Sequence, residues 1–125
     1  MRVIKLKKVN LNVKLISNES KMDEKLIGNI IQESKEITYQ DKDELETRVK
    51  FNYEKNLLIR ENDNLLLEYK FIKNKLTKGL ITIKDLNQTI EIEIKTLNIK
   101  NEKNYIEIEY ILENEKYLYI ISMED

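Results

Sequence analysis

The chain has 125 residues, which suits one domain with one hydrophobic core and leaves little room for a second. It contains no cysteine and no histidine, so disulfides, thiolate nucleophiles, zinc–sulfur sites and the commonest general base are excluded together. Its 22 Lys and Arg nearly balance 23 Asp and Glu, giving a formal net charge of -1; the basic, arginine-rich face of a nucleic-acid binder is not expected.

From the start, Met1 to Lys8 alternates and carries lysines where a signal peptide needs an uninterrupted apolar stretch. No apolar run reaches the length of a membrane span, so the expected location is the cytoplasm and no membrane partner is expected. At 36% charged residues, disorder would be compatible with composition alone. The order of the residues argues against it.

Val9, Leu11, Val13 and Leu15 alternate with Asn10, Asn12 and Lys14, the period-two signature of a half-buried strand. Ile4 and Leu6 are out of phase with them, which predicts a bulge or bend. Ser20 to Ser34 has Met22, Leu26, Ile30 and Ile31 near helical spacing. Gly28 in its middle and the β-branched isoleucines favour a bent strand over a helix. Short strands follow at Ile37 to Tyr39, Leu57 to Arg60 and Leu80 to Ile83, with longer alternation at Leu45 to Tyr53 and Leu65 to Phe71. Turns are read at Asn18 to Ser20, Gln40 to Glu44, Glu61 to Asn64, Asn74-Lys75 and Asp85 to Gln88.

The last third is the plainest. Thr89 to Thr96, Tyr105 to Leu112 and Tyr117 to Met123 form a meander through turns at Lys100 to Asn104 and Glu113 to Lys116. Ile94 is out of phase with Leu97 and Ile99, a second predicted bulge. About 8–10 short strands joined by hairpins predict an all-β, antiparallel up-and-down barrel with residues 1–125 in a single domain.

Leu57 to Met123 resembles the YwiB-like family of bacterial proteins of unknown function, which are similar to the calycin or lipocalin-like barrels. The resemblance rests on Leu58-Ile59-Arg60, then Phe71, Leu86-Asn87-Gln88, Ile90 to Ile94 with Thr96, and Ile106-Glu107-Ile108-Glu109-Tyr110. Ile37-Thr38-Tyr39-Gln40-Asp41 matches an earlier strand of the pattern. Where the family carries glycines, this chain has Asn62, Asn74 and Asn87 nearby, and asparagine tolerates the left-handed conformation better than other side chains. The resemblance implies a barrel and a bacterial origin. It implies no activity.

Candidate chemistry is sparse. Glu91, Glu93, Glu107 and Glu109 share one face of a hairpin; a flat strand face cannot wrap a calcium ion, so they read as a solvated exterior and no metal is expected. No carboxylate sits clearly on an apolar face, so paired-carboxylate catalysis is not expected, nor is a cofactor. Phosphate loops, dinucleotide fingerprints and serine elbows are missing, and the chain is read as not an enzyme. Arg60 ends an apolar strand, where it either ties the strand end to a neighbouring carboxylate or to carbonyl oxygens, the preferred reading, or meets a carboxylate or phosphate of a ligand at a barrel mouth. Phe51, Tyr53, Tyr69, Phe71 and Tyr110 fall on inward parities and either fill the barrel or line a cavity. Tyr117 and Tyr119 share a face; if that face is outward, they and Tyr105 form an exposed aromatic patch.

Two functions stay open. One is a small, mainly apolar ligand held inside the barrel, with Arg60, Phe51, Tyr53, Tyr69, Phe71 and Tyr110 as candidate binding residues. The other is a filled barrel that meets a protein partner or a second copy as a homodimer. The first predicts a cavity of several hundred Å³. The second predicts an exposed apolar patch and no cavity.

Overall fold

A computed structural model describes residues 5–42 and 45–124. Ten strands follow in chain order: β1 (Leu6–Ile16), β2 (Lys21–Ile31), β3 (Glu36–Gln40), β4 (Arg48–Asn52), β5 (Leu57–Glu61), β6 (Leu65–Lys70), β7 (Leu76–Ile83), β8 (Gln88–Glu102), β9 (Tyr105–Leu112) and β10 (Glu115–Glu124). Each pairs antiparallel with its neighbours in sequence, and β10 pairs back onto β1 from Asn10↔Glu124 to Ile16↔Leu118, closing an up-and-down barrel. The β2–β3 seam is short, from Asn29↔Thr38 to Ile31↔Glu36, so Lys21 to Gly28 of β2 has no strand partner on that side among the described residues.

The one helical-looking segment of the sequence, Ser20 to Ser34, is strand from Lys21 to Ile31 and turn after it. β2 pairs residue for residue with β1 from Ile16↔Lys21 to Leu6↔Ile31. Met22, Leu26 and Ile30 pack against the core, as even-numbered inward positions of a strand. Residues four apart share a face in both a helix and a strand, so their spacing could not separate the two.

The bulge expected near Ile94 is present: the β8–β9 register shifts between Thr96 and Asn98. The bulge expected near Leu6 is not. The β1–β2 register is unbroken there, and Leu6 is simply an outward, 60% exposed residue at the strand end. Ile4, the other half of that phase break, lies outside the described residues, as does part of the turn at Gln40 to Glu44. Two turns are tighter than expected. β8 runs on to Glu102, leaving Lys103-Asn104, and β10 begins at Glu115, leaving Glu113-Asn114.

Five of the eight left-handed residues described are asparagine, the others being Lys35, Glu46 and Glu113. Asn74 and Asn87 have φ of 63° and 49°, as the exchange for glycine requires, and Asn56, Asn104 and Asn114 do the same elsewhere. Asn62 acts differently. Its Oδ1 accepts the backbone N–H of Asn64 and Leu65 at 2.8 and 2.9 Å, so its side chain closes the β5–β6 turn.

Gly28 is needed for a close approach at the β2–β3 seam, where Asn29–Ile31 pairs with Glu36–Thr38. A Cβ at Gly28 would lie 2.4 Å from Leu11 Cδ1 and 2.7 Å from the Thr38 carbonyl oxygen. The leucine can rotate; the carbonyl belongs to the neighbouring strand and cannot. Gly28→Ala is therefore expected to destabilise the barrel by about 1–3 kcal/mol, the usual range for overpacking. Urea denaturation of the variant measures it.

The hairpin turns after β1, β3, β5, β7 and β9 lie at one end of the barrel, which we call the mouth. Toward the opposite end the interior is solid: Ile37, Phe51, Ile106, Ile108 and Ile121 are all at most 2% exposed. A ten-stranded barrel is wider than the eight-stranded size that side chains just fill. Large rings therefore carry much of the packing, and the mouth end stays open.

Candidate functional site

Inward side chains near the mouth line an open cavity of about 320 Å³. Leu15 of β1, Leu58 of β5, Leu67 of β6 and Leu112 of β9 form its apolar walls. Arg60, Tyr69, Tyr110, Tyr117 and Tyr119 bring polar atoms to it, and Thr47 and Asn62 lie at its rim. A larger depression of about 470 Å³ lies on the outside of β2 to β5, among Ile27, Arg48, Lys50 and Glu61. Its lining mixes charged Arg48, Lys50 and Glu61 with apolar Ile27, Val49 and Ile59, and it opens on the outside of the barrel.

The candidate residues divide. Arg60, Tyr69 and Tyr110 come together at the cavity. Phe51 and Phe71 do not line it: both are at most 1% exposed and sit in the packed interior. Tyr53 packs against the core from the turn after β4, at the far end. Phe71 supports the site from behind, its ring 5.0 Å from that of Tyr110 and 6.4 Å from that of Tyr69.

Tyr117 and Tyr119 face inward, so the exposed aromatic patch does not form. Register decides this. Tyr119 lies opposite Leu15 of β1 and Ile108 of β9, both inward residues, and is 3% exposed. Tyr117 lies directly opposite Tyr110, and the two rings stack at 5.5 Å with 19° between planes. Tyr105 faces outward and donates to Glu107 Oε1 at 2.5 Å, which with burial pushes its phenol up to about 12.

Two polar contacts organise the site. The Tyr39 and Tyr119 hydroxyls share a hydrogen bond of 2.6 Å deep in the interior. Desolvation holds both phenols well above their ordinary range, so they are neutral at physiological pH. Arg60 Nη2 donates to Asp41 Oδ2 in an ion pair whose carboxylate is 4% exposed and whose guanidinium is 26% exposed. Asp41 N–H donates to the Thr47 carbonyl at 2.8 Å, and Asn62 Nδ2 donates to Thr47 Oγ1 at 3.1 Å. The β3–β4 loop is thereby tied to β5 and the β5–β6 turn.

Arg60 therefore has the structural role preferred from its sequence position, and it lies at the cavity as well. Arg60→Leu should cost about 2–4 kcal/mol, since it leaves the Asp41 carboxylate buried without its guanidinium. Arg60→Leu with Asp41→Asn should recover a good part of that loss. Urea midpoints of the three chains test both statements.

The outward glutamates behave as a solvated face. Glu91, Glu107 and Glu109 lie 3.3, 3.6 and 3.4 Å from Lys78, Lys100 and Lys116 on adjoining strands. No group of three or more Asp or Glu among the described residues could hold a metal ion. No helix among them is long and apolar enough to cross a membrane.

No family model matches the chain, and no curated protein does. Among solved structures it is similar to the ywiB protein from Bacillus subtilis, with a TM-score of 0.71 across 98% of this chain and 96% of that one. Sequence identity is 15%. What is shared is the fold. This YwiB-like barrel supports the architecture that the strand motifs implied, and it carries no statement about activity.

Proposed function

We propose that the protein is a non-catalytic bacterial binding protein of the cytoplasm that holds a small, mainly apolar ligand at the mouth end of its calycin-like barrel. One observation carries this reading: the interior is solid toward one end and opens into a pocket of about 320 Å³ at the other, walled by leucines and tyrosines. That volume falls at the lower end of the range of about 300–1,000 Å³ typical of small-molecule sites. A barrel evolved only to present its outer surface would gain stability from filling this space, since each void forfeits dispersion contacts.

The filled-barrel alternative finds less support. Exposed large apolar residues such as Ile27, Leu76, Leu86 and Ile90 are separated by charged neighbours such as Lys25, Lys78 and Glu91. Isolated apolar residues of this kind are ordinary on protein surfaces.

Native mass spectrometry of protein purified gently from cells tests the proposal. The expected result is a reproducible added mass of a small molecule, lost on denaturation. A bare chain that also takes up none of a panel of small apolar compounds would count against it. A bare dimer, or a co-purified partner chain, would favour the alternative.

A further inference from the structure

The geometry points to a ligand with a carboxylate head and a short apolar tail, its head held by Arg60, Tyr69 and Tyr110; this rests on the ligand-binding reading above. The argument is an inventory of hydrogen-bonding capacity. A guanidinium has five N–H donors, and the structure shows one of Arg60's engaged, toward Asp41. The Tyr69 and Tyr110 hydroxyls make no hydrogen bond within the described residues, and neither oxygen is sealed from the cavity, although Tyr110 is only 4% exposed. Tyr117 is already committed, donating to Glu115 Oε2 at 3.1 Å. The cavity thus offers N–H and O–H donors beside an apolar wall, an arrangement that suits an acceptor-only group.

Charge supports the same choice. Burial raises the Tyr110 phenol, which keeps it a neutral donor, and the one charged side chain that acts on it is Arg60, which opposes the shift. Arg60 also acts on Tyr69 in that sense, against Glu113 at the mouth. Arg60, although paired with Asp41, therefore acts on both hydroxyls, and a carboxylate there accepts charge-assisted hydrogen bonds. Size follows from the volume. At about 30 Å³ for each water-sized group, the cavity of about 320 Å³ accommodates roughly ten non-hydrogen atoms, the number in octanoate.

The test is titration of the full chain with octanoate, 1-octanol and octylamine, read by tyrosine fluorescence, which is uncomplicated because the chain has no tryptophan. Octanoate should bind at least about tenfold more tightly than either of the others. Tyr110→Phe and Tyr69→Phe, which keep the ring and remove the hydroxyl, should each weaken octanoate by about 3- to 10-fold and leave octanol within about twofold. Octanol binding as well as octanoate, octylamine binding best, or hydroxyl removal without effect would overturn the head-group assignment and leave the cavity reading standing. No binding of any of the three would overturn both.

Discussion

Phe51→Ala should destabilise the barrel by about 3–5 kcal/mol, the range for removing a fully buried aromatic ring. Phe51 is 0% exposed and stands on β4 at the centre of the packed half, its ring meeting that of Tyr119 edge to face at 6.3 Å. Ile37 of β3 and Leu58 of β5 lie directly opposite it in the sheet and are themselves fixed by their strands. A strand-bound backbone cannot collapse into the space, so the void persists. Against a typical total stability of about 5–15 kcal/mol, such a loss takes the chain close to unfolding at ordinary temperature. The urea midpoint should fall sharply with little change in slope. Tyr53→Ala, which removes a half-buried ring from a turn, should lose less than half as much.

Alkaline pH should have a comparably large effect. Tyr39, Tyr110 and Tyr119 all have phenols raised above 10, desolvation by burial being the first cause in each. The native state keeps protons that the unfolded chain releases near pH 10. Their contribution is fully present below that pH and declines above it, until the native phenols ionise as well. Each such group lowers stability by about 1.4 kcal/mol per pH unit, so the three together give about 4 kcal/mol per unit in that window. With no histidine, the chain also lacks the side chain that ordinarily titrates near neutrality. Stability should therefore be nearly level from about pH 7 to 9 and fall steeply above 10. Denaturant midpoints measured across that range, with tyrosine ionisation followed by ultraviolet absorbance, check it. Ionisation without unfolding near pH 10 would contradict the burial of these rings.

Much of the architecture is legible because a strand with one buried face alternates visibly, as in Thr89 to Thr96 and Tyr105 to Leu112. The inward parity of Phe51, Tyr69, Phe71 and Tyr110 follows from the same signal. It weakens where both faces are apolar. Tyr117 and Tyr119 alternate with Leu118 and Ile120, so only pairing with β1 and β9 decides which face turns inward. In β2 the inward positions include Glu24 and Gly28, and these interrupt the apolar series that would otherwise mark a strand.

The site was less legible than the fold. Arg60 could be singled out as an arginine ending an apolar strand, but Asp41 is 19 residues away and meets it only through the register of the β3–β4–β5 meander. The Tyr39–Tyr119 hydrogen bond spans 80 residues and crosses the interior. The cavity itself depends on the summed volume of inward side chains from strands far apart in sequence, against a width set by strand number and stagger. No local pattern contains that sum. Phe51 and Phe71 were as good candidates by parity as Tyr69 and Tyr110, and only their distance from the mouth separates them.

The central claim is that the barrel is solid at one end and receptive at the other, and methyl-labelled NMR tests it most directly. Leucine and isoleucine methyls would be followed while octanoate is added. The account expects shifts at Leu15, Leu58, Leu67 and Leu112, which wall the cavity, with Ile37, Ile106, Ile108 and Ile121 unmoved. Shifts confined to outward residues such as Ile27 and Ile90, or no specific shift from octanoate or from any other small apolar probe, would contradict it.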